Sequence, residues 1–219
     1  MSPSAPTPAS SPWLPKLLLL AYLVLFVALA INPYERGTWV AENAPIVAIV
    51  VGLAVLYRRG IRFSNLAYGL MSVLIFLHTI GGHYTFERVP FDWFNQLFGF
   101  KRNMYDRVAH VSVGFYAFAI LELLDRYRAI RVRSIAYLFA LFAICTVAMA
   151  YELIEWIYAD LSDPSAGAAF LGSQGDIWDA QKDMLADTSG AVLALLLYWI
   201  REKVKGPARP ADEAALTRR

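Results

Sequence analysis

A single cysteine, Cys145, stands in the whole chain, in the middle of an apolar run. One thiol rules out an internal disulfide and leaves no Cys-based metal cage. Charge is scarce as well: 17% of the 219 residues are Asp, Glu, Lys or Arg, against 58% apolar residues, and the mean hydropathy is +0.45. An ordinary soluble domain is less apolar than this, and several runs reach membrane-spanning length. The net charge of +2 comes from Lys and Arg grouped between the apolar runs. That distribution sets membrane orientation and argues against nucleic acid as a partner. Familiar catalytic signatures are missing too. The fifth apolar run reads Tyr-Glu-Leu-Ile-Glu-Trp at Tyr151–Trp156, so there is no HExxH. No Glu-x-x-His pair of the di-iron bundle type, Gly-x-Ser-x-Gly elbow or P-loop occurs. No internal repeat is visible, so symmetry lends nothing to an inverted-repeat transporter.

What is present predicts an all-α, polytopic bundle of about six transmembrane helices. Residues 1–15, rich in Pro, Ser and Ala, read as a disordered tail, residues 16–202 as the membrane domain, and 203–219 as a disordered charged tail. The expected helices are Leu17–Ile31, Trp39–Tyr57, Ser64–Gly82, Asp106–Leu124, Ser134–Tyr158 and Asp183–Ile200. Ala28-Leu29-Ala30 also resembles a cleavage site, so the first run reads as a retained helix or as a signal peptide, with the retained helix preferred. The aromatic link 83–105 suits the headgroup layer, and 159–182 reads as a polar loop. Six crossings put the amino terminus, the second and fourth links and the carboxyl tail on one side, with 14 of the 20 Lys and Arg. The positive-inside rule makes that side cytoplasmic, with both termini inside. Trp39, Trp93, Trp156 and Trp178 then mark the outer interface, and Trp13 and Trp199 the inner one.

The chemistry concentrates in Leu171–Gly190, which carries Asp176, Asp179, Asp183 and Asp187 at the mouth of the last apolar run. On a helix the spacing 179, 183, 187 places three acids on one face. A charge in lipid costs roughly 2.5–3.5 kcal/mol even on the lenient insertion scale, so these acids must face protein, water or a cation. At 1.5 Å per residue, His78, His110, Glu152, Glu155 and Asp187 all fall roughly 5–9 Å below the outer helix ends. Asp106 and His110 are i, i+4 and Glu152 and Glu155 are i, i+3, so each pair shares a face. Gly114 with Ala117, and Gly190 with Ala194, are small enough for close helix approach. Carboxylates and imidazole without thiolate suit Zn, Mn, Fe or Mg. The candidate metal ligands are therefore His110, Glu152, Asp183, Asp106 and Asp179, with Glu155 and Asp187 as catalytic candidates. Plainer readings stand beside these. Arg107 reads equally as a snorkelling arginine, His78 as a hydrogen-bonded packing residue, Asp176 and Asp179 as helix caps, and Cys145 as packing.

HYTFERVP (His83–Pro90), RNMYDRVAH (Arg102–His110), YELIEW (Tyr151–Trp156) and LGSQGDIWDAQKDM (Leu171–Met184) together resemble the bacterial YjdF-type inner membrane proteins, over about residues 17–200. The QGDIWDAQKDM run is the most specific part. The resemblance implies a multi-helix protein of the bacterial inner (plasma) membrane and carries over no catalytic residue. More distantly, Asp106-x-x-x-His110 followed by Asp183-x-x-x-Asp187-x-x-Gly190 is similar to the order of polar residues in VanZ-like proteins, associated with glycopeptide resistance. Asp187 stands where that order is expected to have Asn.

Three readings follow. In the first, an outward-facing pocket holds a divalent cation and acts on a lipid-linked or envelope substrate. In the second, the acids form the relay of a proton-coupled carrier for a small solute, and in the third they only fix helix packing in a membrane scaffold. The bilayer is the one partner common to all three.

Overall fold

The computed structural model describes residues 11–162 and 164–205. Residues 1–10 and 206–219, on which most of both expected tails fall, lie outside the described residues. Among the described residues the chain forms α1 (Leu14–Leu29), α2 (Arg36–Arg58), α3 (Asn65–Tyr84), α4 (Asp92–Phe98), α5 (Tyr105–Gly114), α6 (Tyr116–Arg126), α7 (Arg133–Leu161), α8 (Pro164–Leu171) and α9 (Asp179–Lys205), with no strand. Five spans are long and apolar enough to cross a membrane: α2, α3, α5 with α6, α7, and α9. The 16-residue α1 is shorter, about 24 Å at 1.5 Å per residue, and packs on α3 with Tyr22 buried.

Local chemistry accounts for the helix ends. Glu35 caps α2, its carboxylate accepting from the backbone N–H groups of Gly37 and Thr38. These bonds, the one from Thr38 foremost, hold the Glu35 carboxyl below the ordinary carboxylate range. The Ser64 hydroxyl accepts from Ala67 N and starts α3. Thr85 and Gly99, both left-handed, end α3 and α4.

Four expectations change. The helices α1 and α9 overrun the boundaries at residues 15 and 203, beginning at Leu14 and running to Lys205. The expected polar loop 159–182 contains α8, and α9 begins at Asp179 rather than Asp183, where Asp176 and Asp179 supply acids to its start. The fourth crossing is broken at Phe115, where the backbone bonds Phe115 N to Ser112 O and Phe118 N to Phe115 O span three residues instead of four. Finally, Trp39 is 8% exposed and packs its ring 5.1 Å from Phe26, so it belongs to the core rather than to the interfacial belt. Trp13, Trp93, Trp156, Trp178 and Trp199 are exposed.

The helix α9 is the centre of one half, packed on α5, α6 and α7, and α3 is the centre of the other, packed on α1, α2, α5 and α6. At one end of the bundle Glu122 accepts from Ser64 N (2.7 Å), Ser64 Oγ (2.6 Å) and Arg201 (3.3 Å), joining α3, α6 and α9. Beyond it lies an apolar layer that includes Met71, Ala117, Phe118 and Leu121. The polar groups of Leu171–Gly190 lie on the opposite side of that layer.

Candidate functional site

Closest approach of two helices creates the site. A Cβ on Gly114 would strike the α9 backbone at Asp187, Gly190 and Ala191, and one on Gly190 would strike the α5 backbone at Val111. With no side chain at either position the two backbones touch, one turn from His110 on α5 and from Asp187 on α9. The His110 Nδ1 accordingly lies 3.1 Å from Asp187 Oδ1. That contact ties the imidazole on α5 to the carboxylate on α9. The other ring nitrogen, Nε2, then faces Asp106 Oδ1 and Asp183 Oδ1, each at 3.6 Å.

Asp183 (3% exposed), Asp187 (2%), Asp106 and Arg107 are all buried. Arg107 does not snorkel. Its guanidinium turns inward and bonds Asp183 and Asp179, and it lies 3.5 Å from Asp106. Arg102 bonds Asp179 at 2.7 Å and approaches Asp176 at 3.5 Å. Lys182 bonds Asp176 at 2.6 Å, and this bond, followed by that from Trp178 N, holds the Asp176 carboxyl below its ordinary range. A ladder of cations thus runs along the acid face of α9 from its exposed start toward the buried pair Asp183 and Asp187. The loop that carries the ladder is pinned to the segment before α5: Gln174 accepts from Asn103 N at 2.9 Å and donates to Asn103 O at 3.1 Å.

A second group of polar side chains faces the first across a cavity of about 130 Å³, room for several water molecules. Glu42 of α2 (2% exposed) accepts from the Tyr151 hydroxyl at 3.0 Å, and that hydroxyl lies 3.3 Å from His78 Nε2. Having donated to Glu42, the hydroxyl accepts from His78, which leaves the buried His78 Nδ1 without a partner among the described residues. Asp106, His110, Glu155 and Asp187 complete the polar wall, with Phe86 and Phe170 among the apolar residues. The helix α8 packs on both α7 and α2, and Phe170, Leu171 and Gly172 roof the cavity.

The wider expectation of five metal ligands narrows. Asp106, His110 and Asp183 each bring one ligand atom within 4.8 Å of the others. Asp179, one turn earlier on α9, lies outside this set and bonds Arg102 and Arg107. Glu152 also stands apart, with its buried Oε1 unpartnered among the described residues. Glu155 lines the cavity, and Asp187 holds the imidazole from behind. Three participants escape the sequence reading: Glu42, Tyr151 and Arg102. Glu42 is the one ionisable side chain inside the long apolar run of α2, and the cost of burying an acid in a membrane span would have singled it out. Tyr151 and Arg102 give no such signal, because tyrosine and interfacial arginine are ordinary in membrane proteins.

The DUF2238 family, described as "Predicted membrane protein", matches residues 14–203. The chain is 34% identical over 187 residues to the inner membrane protein YjdF of Escherichia coli (strain K12), a span covering 81% of this chain and 85% of that one. No solved structure matches it.

Proposed function

The chain belongs to the DUF2238 family of predicted membrane proteins and is a multi-pass inner membrane protein, and from that premise we propose that its bundle holds a divalent-cation site at Asp106, His110 and Asp183 that serves chemistry on a lipid-linked or envelope substrate. One observation carries the reading. Asp106, His110 and Asp183 each bring one ligand atom within 4.8 Å of the others, and Asp187 Oδ1 stands 3.1 Å from the other ring nitrogen of His110. A carboxylate behind the imidazole is also the usual partner of a metal-bound histidine, fixing its tautomer and raising its basicity. The donors are hard or borderline and match Zn, Mn, Fe or Mg.

A divalent ion bound there supplies Lewis-acid polarisation of a substrate oxygen or activates water. The chain's own groups do the rest. Asp187 keeps the imidazole turned, and Arg107 compensates the acid that the ion does not. Glu155, on the cavity wall, is placed to take a proton. Exposed Trp93, Ile177 and Trp178 near the ladder suit an approach from the headgroup layer.

A proton-coupled transporter is the alternative. It needs a polar route past the layer of Met71, Ala117, Phe118 and Leu121, each no more than 2% exposed, and that layer weighs against it. A scaffold reading takes His110 as an ion pair that ties α5 to α9, and it predicts no bound ion.

Elemental analysis of the full-length protein purified in detergent and equilibrated with Zn, Mn or Mg tests the proposal. The expected result is a stoichiometric ion that is lost in His110→Ala and Asp183→Asn while both variants remain folded. A wild-type protein that takes up none of the three ions removes the cation site.

A further inference from the structure

A second cavity, unconnected with the reading above, lies between α1, α2 and α3 and has a volume of about 210 Å³. Its wall is mostly aliphatic, with Leu18, Val50, Leu53, Met71 and Ile75 among the lining residues, and among the described residues no acidic side chain lines it. Two features set it apart from a simple gap between membrane helices. The first is charge at one end. Lys16 of α1 and Arg58 at the last turn of α2 both line the groove, and both are exposed. The second is a pair of sealed hydroxyls. Tyr22 (4% exposed) and Tyr68 (7%) line the groove, and each has its hydroxyl buried without a hydrogen-bond partner among the described residues. Buried polar atoms are nearly always bonded, so two orphans in one wall point to a ligand that brings acceptors.

The spacing defines that ligand. Tyr22 is six residues from Lys16 along α1, about 9 Å at 1.5 Å per residue. A molecule that satisfies the groove therefore has an anionic head at one end, oxygen acceptors roughly one headgroup's length below it, and apolar chains beyond. Basic pockets between membrane helices hold anionic lipid heads in this way. A second copy of this chain fits the charges poorly, because the same exposed Lys16 and Arg58 would meet whatever basic residues flank its own groove.

We propose that the groove between α1, α2 and α3 is a binding site for an anionic glycerophospholipid of the bilayer, with its phosphate on Lys16 and Arg58, its ester oxygens toward the Tyr22 and Tyr68 hydroxyls, and its acyl chains along Met71 and Ile75.

Native mass spectrometry of the full chain, offered equal amounts of phosphatidylglycerol and phosphatidylcholine in detergent, tests this. Wild-type protein should retain phosphatidylglycerol on the order of 10-fold over phosphatidylcholine. The paired change Lys16→Ala with Arg58→Ala should erase the preference, while Arg128→Ala, at a basic link away from the groove, should leave it intact. Tyr22→Phe with Tyr68→Phe keeps the rings and should lower retention of both lipids several-fold without changing their ratio. Equal retention by wild type, or an Arg128→Ala protein that loses the preference as fully as the Lys16/Arg58 pair, would overturn the proposal. A dimer that carries no lipid would do the same, by placing a second copy in the groove.

Discussion

Arg107 controls the electrostatics of the buried acids. It bonds Asp183 and Asp179 and lies 3.5 Å from Asp106, all with little solvent access. Removing one partner of a buried pair leaves an uncompensated charge and typically costs about 3–5 kcal/mol. Arg107→Met should therefore lower the unfolding free energy in detergent by an amount in that range. Adding Asp183→Asn to Arg107→Met should recover part of the loss, because one of the stranded acids is then neutral. Two single-variant effects that simply add would show that the pair is not coupled. At this scale the sequence was informative about the acids and misleading about their compensation. An acid in a span announces its cost wherever it sits, whereas an arginine beside it reads equally as a snorkelling residue until its direction is known.

Among the elements, the contact of α5 with α9 is the one on which the site depends. Gly114 and Gly190 let the backbones meet, and the distance from His110 to Asp187 follows from that meeting. Gly190→Ala places a methyl against the Val111 carbonyl, where backbone must move because no flexible side chain is available to yield. Overpacking of this kind costs about 1–3 kcal/mol. The expected outcome is a matching loss of thermal stability together with weaker cation uptake. Ser189→Ala is the control, since Ser189 is exposed and bonds only within its own helix. The small residues were legible as a packing stripe, and their spacing relative to His110 and Asp187 predicted that the helices approach there. The break at Phe115 follows Ser112 and Gly114, a weak signal masked by an apolar run that continues through it without proline.

For the whole molecule, orientation decides which compartment reaches the cavity. Applied to six crossings, the positive-inside rule predicts the Arg126–Arg133 link in the cytoplasm and the loop with Ile177, which is 85% exposed, outside. With Cys145→Ser as background, the chain has no other thiol. In intact bacteria a membrane-impermeant maleimide should label Ile177→Cys and spare Arg128→Cys. Labelling of Arg128→Cys alone would invert the bundle and turn the cavity toward the cytoplasm.

Helical class, the approximate spans, the one-sided polarity and the family were all determined by the order of residues alone, because length, hydropathy and helical spacing are local properties. Tertiary structure decided which acids share a centre. Asp179 and Asp183 occupy one face of the same helix, and Arg107 bonds both, yet only Asp183, one turn further along α9, comes within reach of His110. Glu42, His78 and Tyr151 come from three helices far apart in sequence. Only packing brings them to one wall, and no spacing rule along the chain encodes a distance between helices.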